Sequence, residues 1–390
     1  MKKNKFISWD QDKDYSLVRG GFLYFLINKL GLCGDSNLDL LLRALTFALL
    51  SWLPLLVFSV FYGTFFGTAG QLGFGQDFLT HLRLLVVVPF LVWVEKLIDP
   101  AFSEYMNSTR RIIPRDEEEK FGKLERFIDK LLNSWLPDIL FLLLIYFFYL
   151  TSLQIMNQPE LRWYDTGDPD RIYYYAISLP IYQFLFFRWL WRWFIWAFSV
   201  VKISRMNLQI EASHADQMAG LEYLSLVPLA FCVMCLAPAI VFSAMIGEEI
   251  LYTGTTLTSF GYHIFFFVIS IPIIVHLPLL TFMPLMIRIK ARGITRFGSL
   301  IQYHNNLFKE KWMEGKLPEK ESILPSLDNS SMADLNGSYQ QAVQGMQLIP
   351  ISRRALVFVA LMLLVPFLPL AFTMYSLGEL FSKLAKIVKG

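Results

Sequence analysis

The residues best suited to chemistry in this sequence are two arginines inside a hydrophobic stretch, Arg188 and Arg192. They are four residues apart, so they share one face of a helix. Arginine in an apolar segment is costly unless it has a partner or reaches the membrane interface. The pair could bind an anion, a lipid phosphate or a gating carboxylate. The stretch also holds four tryptophans, Trp189, Trp191, Trp193 and Trp196.

Two other interpretations of the arginine pair require no transport pathway. At 1.5 Å per residue, Arg188 lies about 23 Å along the helix from Tyr173, which corresponds to the inner membrane interface. Both arginines would then reach lipid phosphates from within an aromatic belt, and this interpretation is favoured. In the third interpretation they pair with Glu95 and Asp138, which lie at matching depth near the inner ends of their own spans.

A polar turn, HADQMAG, follows the same helix and runs from His214 to Gly220. His214 and Asp216, with Glu211 and Glu222 nearby, could bind a divalent cation. Alternating residues seldom converge on one metal, however, and a site needs three or four ligands. The favoured interpretation is that Asp216 caps the next helix and His214 hydrogen-bonds the loop. No metal site is therefore predicted.

A histidine in a later hydrophobic stretch, His276, lies between Pro272 and Pro278. Proline leaves backbone carbonyls free, and these carbonyls with an imidazole could relay protons or ions. A buried histidine bonded to a neighbouring helix is an equally good interpretation. Both alternatives stay open at the level of sequence.

Nothing in the sequence indicates an enzyme. The chain contains no HExxH, GxSxG, P-loop or dinucleotide-binding fingerprint. Glu248 and Glu249 are adjacent, so their side chains diverge on a helix and are interpreted as solvated charges or a weak cation attractor. Cys232 and Cys235 form a CxxC pattern inside an apolar run, where small packing residues are expected. We predict no enzymatic activity and no cofactor.

The elements that must position these residues are membrane-spanning helices. Hydrophobic residues make up 55% of the 390 residues and charged residues only 17%. The apolar runs are continuous rather than alternating, which indicates helices and not a transmembrane barrel. We predict an all-α, polytopic transmembrane helix bundle of about seven spans with a small helical cytoplasmic layer.

The chain divides into four segments by hydropathy and charge. Residues 1–40 form a cytoplasmic N-terminal segment with a short amphipathic piece at 22–27. Residues 41–287 hold transmembrane helices 1 to 6, with an amphipathic cytoplasmic helix at 114–133. Residues 288–354 form a cytoplasmic helical segment whose second helix is predicted to begin with a capping box at Ser331 and Asp334. Residues 355–390 hold the last span and an amphipathic tail.

The distribution of basic residues predicts the orientation. Twenty-six Lys and Arg residues fall in 1–40, 96–135, 201–221 and 288–354, against five in the opposite loops and the tail. Because positive residues favour the cytoplasm, we predict a cytoplasmic N-terminus. The basic tail disagrees with this rule, and a last hydrophobic segment that does not fully span would explain it.

One stretch resembles an uncharacterised family of bacterial multi-pass inner-membrane proteins. Members carry an RWxWRW-like helix followed by His-Pro-Asp, a glycine pair, leucine and an aromatic residue. Ala215 replaces the proline here and Ala219 the first glycine, which predicts a looser turn. The resemblance covers most of the chain and implies a bacterial inner-membrane location without implying an activity. The matching positions are Arg188, Trp189, Trp191, Arg192, Trp193, His214, Asp216, Gly220, Leu221 and Tyr223.

Two functional hypotheses follow. The first is a homo-oligomeric channel or transporter for a small ion, with spans 4 to 6 nearest the pathway; proline-rich helices and inward charges motivate it. The lack of a visible inverted repeat and of mid-span carboxylates weakens it. The second is a non-transporting scaffold or sensor that docks a cytoplasmic protein through residues 288–352 and the HADQMAG turn. Membrane lipids are expected partners, and nucleic acid is not.

Overall fold

The computed structural model describes residues 12–373 except 33, 35, 68–71, 156–162, 164–168, 315–326 and 352. These described residues form helices and no β-strand. Seven helices are long and apolar enough to cross a membrane. The chain is therefore a multi-pass membrane protein with an all-α fold, which confirms the predicted fold class. The predicted basic amphipathic tail, residues 378–390, lies outside the described residues.

The described residues form ten helices, and seven of them, α2, α3, α5, α6, α7, α8 and α10, contain the stretches long and apolar enough to span a membrane. The helices are α1 (Gly21–Lys29), α2 (Asn37–Phe61), α3 (Phe78–Ile112), α4 (Glu118–Leu132), α5 (Leu136–Ile155), α6 (Pro169–Ile203), α7 (Glu222–Thr253), α8 (Leu257–Lys311), α9 (Leu327–Gln340) and α10 (Arg353–Leu364).

The helices run alternately between two ends of the bundle. At one end, here called the layer end, the N-terminal segment 12–20, α4, the loop 204–221, the extension of α8 and α9 form a helical layer. The opposite end, the loop end, holds residues 62–67 and 72–77 and the turn between α7 and α8. Helix α4 is amphipathic as predicted, and it buries Phe121, Leu124 and Ile128 against the bundle.

Two predicted boundaries in the layer have different outcomes. Helix α8 continues from the membrane to Lys311, as the periodicity of the sequence predicts. Helix α9 begins at Leu327, so Ser331 lies inside it and does not cap it. The capping-box prediction is wrong because tertiary packing on α8 extends the helix past the local signal.

Prolines inside the spans leave backbone carbonyls without their helical donor, and neighbouring helices supply one. Pro54 in α2 cannot donate to the carbonyl of Leu50. The hydroxyl of Tyr173 in α6 donates to that carbonyl at 2.8 Å. Such a bond is needed because the hydrocarbon region offers no water to the free carbonyl.

Helices α3 and α6 each contain a π-helical turn, at Arg83–Val87 and Tyr174–Ser178 respectively. The turn in α6 is followed by Pro180, which leaves the carbonyl of Ala176 free. The hydroxyl of Tyr146 in α5 donates to this carbonyl at 2.8 Å. A tyrosine hydroxyl that donates to a carbonyl freed by proline therefore links α5 to α6, as another links α6 to α2.

Helix α7 is interrupted at Cys235, between Leu226–Met234 and Leu236–Thr253. The break lies where Pro238 cannot donate to the carbonyl of Met234. Cys235 and Cys232 are both buried and are not joined in a disulfide.

Candidate functional site

The two arginines of α6 bind the main chain of the N-terminal segment. Arg188 and Arg192 are 7% and 2% exposed. Arg188 Nη2 donates to the carbonyl of Val18 at 2.6 Å. Arg192 Nη2 donates to the carbonyl of Gly20 at 2.9 Å, and its Nη1 to that of Leu132 at 3.3 Å. The favoured interpretation, in which both arginines reach lipid phosphates, is therefore wrong, because their donors are buried on backbone carbonyls.

Two carboxylates hold the backbone amides of the same segment. Asp138 at the start of α5 is buried, and its Oδ2 accepts a hydrogen bond from the N–H of Phe22 at 2.7 Å. Asp99 Oδ1 in α3 accepts from the N–H groups of Leu17 and Val18 at 2.6 and 3.1 Å. The carbonyl groups of the N-terminal segment thus accept hydrogen bonds from arginines, and its amide groups donate to carboxylates. We call Asp99, Asp138, Arg188 and Arg192 the charged clamp.

A further ion pair adjoins the clamp. Arg43 Nη1 in α2 lies 2.8 Å from Glu95 Oε2 in α3, and both side chains are largely buried. Glu95 also lines a cavity with Arg188 and Arg192, so it lies at their depth as predicted. The sequence pattern does not indicate Arg43 as a partner. Three arginines and three carboxylates meet at this end of the bundle, so their formal charges cancel, which limits the cost of burying them.

Little space remains beside the clamp. The cavity that Glu95, Arg188 and Arg192 line has a volume of about 10 Å³, which is room for about one water molecule. The guanidinium groups are therefore occupied by the protein's own backbone. This arrangement positions a chain segment, and in this conformation it leaves no room for a lipid headgroup.

Two consecutive glycines allow the N-terminal segment to enter the clamp. Gly20 and Gly21 have φ values of +105° and +82°, which favour glycine. A Cβ atom on Gly20 would lie 2.7 Å from the carbonyl oxygen of Leu132, and one on Gly21 would lie 2.7 Å from Asp138 Oδ2. The signal in the sequence is the glycine pair itself, immediately before the amphipathic piece at 22–27.

Carboxylates also cap a helix at the loop end. Glu248 is buried, and its Oε1 accepts from the N–H of Leu79 near the start of α3 at 2.9 Å. Asp77 Oδ1 accepts from the N–H of Thr80 at 2.8 Å, and its Oδ2 accepts from Trp163 Nε1 at 2.9 Å. The prediction that Glu248 is a solvated charge is wrong, because it binds a helix N-terminus that has free N–H groups.

Arg83 joins the two π-helical turns near the loop end. Its Nη1 donates to the hydroxyl of Tyr174 at 2.7 Å. Its guanidinium also lies over the ring of Tyr182, 5.6 Å from the centroid. In the sequence Arg83 lies near the start of an apolar stretch, close to the preceding loop, and no spacing pattern indicates a partner for it. Because π-helical turns often mark functional positions, this is the second site of interest.

His276 is buried and is bonded within its own helix. Its Nδ1 lies 2.8 Å from the carbonyl of Pro272, four residues earlier. A hydrogen bond from another helix reaches the residue before His276 instead. Trp193 Nε1 of α6 donates to the carbonyl of Val275 at 3.3 Å. The interpretation in which His276 bonds a neighbouring helix is therefore replaced by a bond within α8. His276 is not among the residues that line the cavity beside Arg188 and Arg192.

The HADQMAG turn closes around Asp216. Asp216 Oδ1 accepts from the N–H groups of Met218 and Gly220 at 2.8 and 3.0 Å. Asp216 Oδ2 accepts from the N–H of Glu222, the first residue of α7, at 3.2 Å. His214 Nδ1 lies 2.8 Å from Asp216 Oδ1. Asp216 therefore caps α7 and orients His214.

Three residues of the turn adopt the left-handed backbone conformation, and two of them carry a Cβ atom. Gln217 and Ala219 both have φ of +59°, and Gly220 has φ of +87°. The left-handed conformation costs about 1–2 kcal/mol for a residue with a Cβ. The bonds to Asp216 hold this strained backbone in place.

The loop that contains this turn packs against two other parts of the layer, the extension of α8 and the segment that follows α9. The N–H of Gln347 donates to the carbonyl of Gln217 at 2.7 Å. Gly293 of α8 approaches Ala212 so closely that a Cβ atom on Gly293 would lie 2.5 Å from that of Ala212. The first residue of α7 is thus connected, through Asp216 and this turn, to the polar segment at 288–354.

We expect Asp216 to make stability depend on pH. Burial raises the pKa of Asp216, but hydrogen bonds from Gly220, Met218 and His214 outweigh it and hold this pKa below its usual value. The stabilisation is therefore present above about pH 3.9, the unfolded value, and is lost as the pH falls through the folded pKa. Asp216→Ala should lower the unfolding free energy by about 2 kcal/mol at pH 7.

Chemical unfolding of the purified protein in detergent, at pH 7 and near pH 3, measures this effect. The difference between Asp216→Ala and the unmodified protein should shrink at the lower pH. Glu211→Ala removes an exposed carboxylate from the same loop and should change stability little at either pH. An equal loss for both variants would contradict the capping role.

Within the described ranges, no group of three or more His, Cys, Asp or Glu side chains is placed to hold a metal ion. No protein-family model matches the chain, and neither a curated protein nor a solved structure matches it.

Proposed function

We propose that this protein is a non-transporting scaffold or sensor of a bacterial inner membrane, without enzymatic activity, that docks a protein partner through its helical layer. The observation that carries the proposal is the charged clamp, whose buried groups bind the backbone of the N-terminal segment. In this proposal the charges fix the layer to the membrane bundle.

The packing between the two charged regions supports this proposal. Leu84, Val87, Val88 and Leu91 of α3 lie between Arg83 and the clamp, and their side chains are fully buried. Such a close-packed apolar interior transmits displacements between elements as rigid units. It supports a role in which helices move together, rather than one in which an ion follows α3 through the bundle.

The geometry of the HADQMAG turn supports the sensing role. The His214 side chain is 54% exposed, whereas that of Asp216 beside it is 8% exposed. A partner bound at His214 would displace Asp216, and Asp216 holds the first residue of α7. Binding at the layer would therefore bias the position of a spanning helix, which is the two-state element that a sensor needs.

The excess of basic residues in the layer segments supports a cytoplasmic layer end and N-terminus. A reporter active only in the cytoplasm should be active when it is fused to the N-terminus. The same reporter should be inactive when it is inserted at the loop-end turn between α7 and α8. The opposite pattern would reverse the proposed orientation and place the partner outside the cell.

Ion flux separates the scaffold from a transporter. Purified protein in liposomes should pass no K⁺, Na⁺, H⁺ or Cl⁻ above the rate of protein-free vesicles under voltage and pH gradients. Gramicidin added at the end of each run verifies that the gradient was intact. Flux that rises with protein content would overturn the proposal.

Crosslinking in cells tests the docking surface. A photo-activated amino acid at the exposed position of His214 should give one reproducible crosslinked protein. The same amino acid at Thr256, which is exposed at the loop end, should not give that product. Identical products from both positions would indicate non-specific contact.

A homo-oligomeric channel or transporter for a small ion is the second candidate, and one observation favours it. Arg83 links the π-helical turns of α3 and α6, and these two helices also carry three of the four clamp residues nearer their other ends. A change of helical register at the two turns would shift both ends together. Flux that Arg83→Gln abolishes, with more than one copy per particle by mass photometry, would establish this candidate.

A further inference from the structure

The extension of α8 carries a stripe of basic side chains. Its segment Met283–Phe308 contains four basic residues and no Asp or Glu. Arg288, Arg292 and Arg296 are four residues apart, so they follow one face of the helix. All three are exposed. We call these three residues the arginine stripe.

The opposite face of the same helix is fixed against the layer. Met286 is fully buried there, and Gly293 packs on Ala212. The remaining basic residue, Lys290, donates to the carbonyl of Met346 at 2.9 Å. Because this face is fixed, the arginine stripe lies on the exposed face of the helix, away from the bundle and from the rest of the layer.

The guanidinium groups of the stripe keep most of their donors available. Across the described part of the chain, none of the three arginines forms an ion pair. Arg288 Nε donates to the carbonyl of Pro284 in its own helix at 3.3 Å. Each guanidinium has five N–H donors in a planar fork, which suits phosphate oxygens.

The position of the stripe along α8 matches the membrane surface. From Gly261 to Arg288 the helix rises by about 45 Å, counting 1.5 Å per α-helical residue and 2 Å per residue of the 3-10 turn Leu277–Phe282. A bilayer with its headgroups is about 40–45 Å thick. Arg288 therefore lies at the level of lipid phosphates, and tilt of the helix brings Arg292 closer to them.

We propose that the arginine stripe binds the headgroup phosphates of anionic phospholipids. Three guanidinium groups without an ion pair, one at headgroup level and two on the following turns of the helix, provide the charge complementarity. Exposed apolar side chains continue the same side of the helix at Leu300 and Tyr303, and basic residues beside apolar ones are typical of interfacial helices. The inference does not depend on whether the protein is a scaffold or a transporter.

Native mass spectrometry of delipidated protein in detergent tests the inference. Dioleoylphosphatidylglycerol should bind at about one tenth of the concentration that dioleoylphosphatidylcholine requires. The combined variant Arg288→Gln, Arg292→Gln, Arg296→Gln should lose this preference. The matching Arg→Lys triple should keep part of it, because lysine preserves the charge without the bidentate geometry.

A matched control removes three exposed basic residues from another helix of the layer. Lys123→Gln, Arg126→Gln and Lys130→Gln in α4 make the same charge change and should leave the lipid preference intact. Thermal unfolding of each variant checks that it is folded, and single replacements beginning with Arg292→Gln are measured if a triple is unstable.

Four outcomes would overturn the inference. An unchanged preference in the Gln triple, or an equal loss in the α4 control, would remove the stripe as the lipid site. Displacement of the bound lipid by an equal concentration of soluble glycerol phosphate would indicate a general phosphate site. Oligonucleotide binding that the Gln triple abolishes, with lipid retention unchanged, would assign the stripe to nucleic acid.

Discussion

Replacing Arg192 by methionine is expected to lower the unfolding free energy by about 3–5 kcal/mol, the usual cost of removing one partner from a buried charged network. The change removes the guanidinium donor of the Leu132 carbonyl, and it leaves the Gly20 carbonyl with only the longer bond of 3.4 Å from Arg188. It also removes the guanidinium group that neighbours the carboxylate of Asp138. Chemical unfolding of the purified protein in detergent measures the loss.

Arg205→Met is the matched control, because Arg205 is exposed just beyond the end of the same helix. It should cost less than about 0.5 kcal/mol. The double variant Arg192→Met, Asp138→Leu should lose less than the sum of its single changes, since it removes both charges together. Equal losses in Arg192→Met and Arg205→Met would show that the clamp does not stabilise the fold.

The same variant should release the N-terminal segment. Leu17 is fully buried beside the clamp, so a cysteine at this position should react slowly with a maleimide reagent in the otherwise unmodified protein. Adding Arg192→Met should speed the reaction at least tenfold. Unchanged labelling with reduced stability would mean that the segment is held mainly by its apolar contacts.

The sequence predicts the location of the charged residues better than their partners. Helical periodicity places Arg188 and Arg192 on one face, and depth counting places Glu95 and Asp138 at the same level. The acceptors of the arginines, however, are main-chain carbonyls of Val18, Gly20 and Leu132, and a carbonyl has no signature in sequence. This is why the favoured interpretation chose lipid phosphates as the missing acceptors.

The second limit concerns long-range packing. Asp99 reads as the polar end of a span, and only the fold brings it to the amides of Leu17 and Val18. Glu248 reads as a surface charge, and only the fold brings it to the start of α3. Local pattern reports helix faces and ends, whereas these contacts depend on the order in which the helices pack.

The HADQMAG turn shows the opposite case. Local chemistry there predicts the structure, because an aspartate before a helix satisfies the free N–H groups of the first turn. The bond from Glu222 to Asp216 has this form. What the pattern does not give is the contact of Gln217 with Gln347, which ties the turn to the layer.

Gly21→Ala is expected to be damaging although it adds only one methyl group, with a loss of about 3 kcal/mol in unfolding free energy. Its φ of +82° disfavours any residue with a Cβ, at a cost of about 1–2 kcal/mol. The added methyl would lie 2.7 Å from Asp138 Oδ2. The carboxylate must move, which weakens its bond to the N–H of Phe22 and adds a cost of about 1.5–3 kcal/mol.

Two other glycines separate these causes. Gly31 has φ of +71° and no atom within 4 Å of an added Cβ, so Gly31→Ala should show the backbone strain alone, about 1–2 kcal/mol. Gly122 lies inside α4 with open space beside it, so Gly122→Ala should stabilise the protein by about 1 kcal/mol. If Gly21→Ala costs no more than Gly31→Ala, the close approach of Asp138 contributes nothing, and the clamp is looser than its distances indicate.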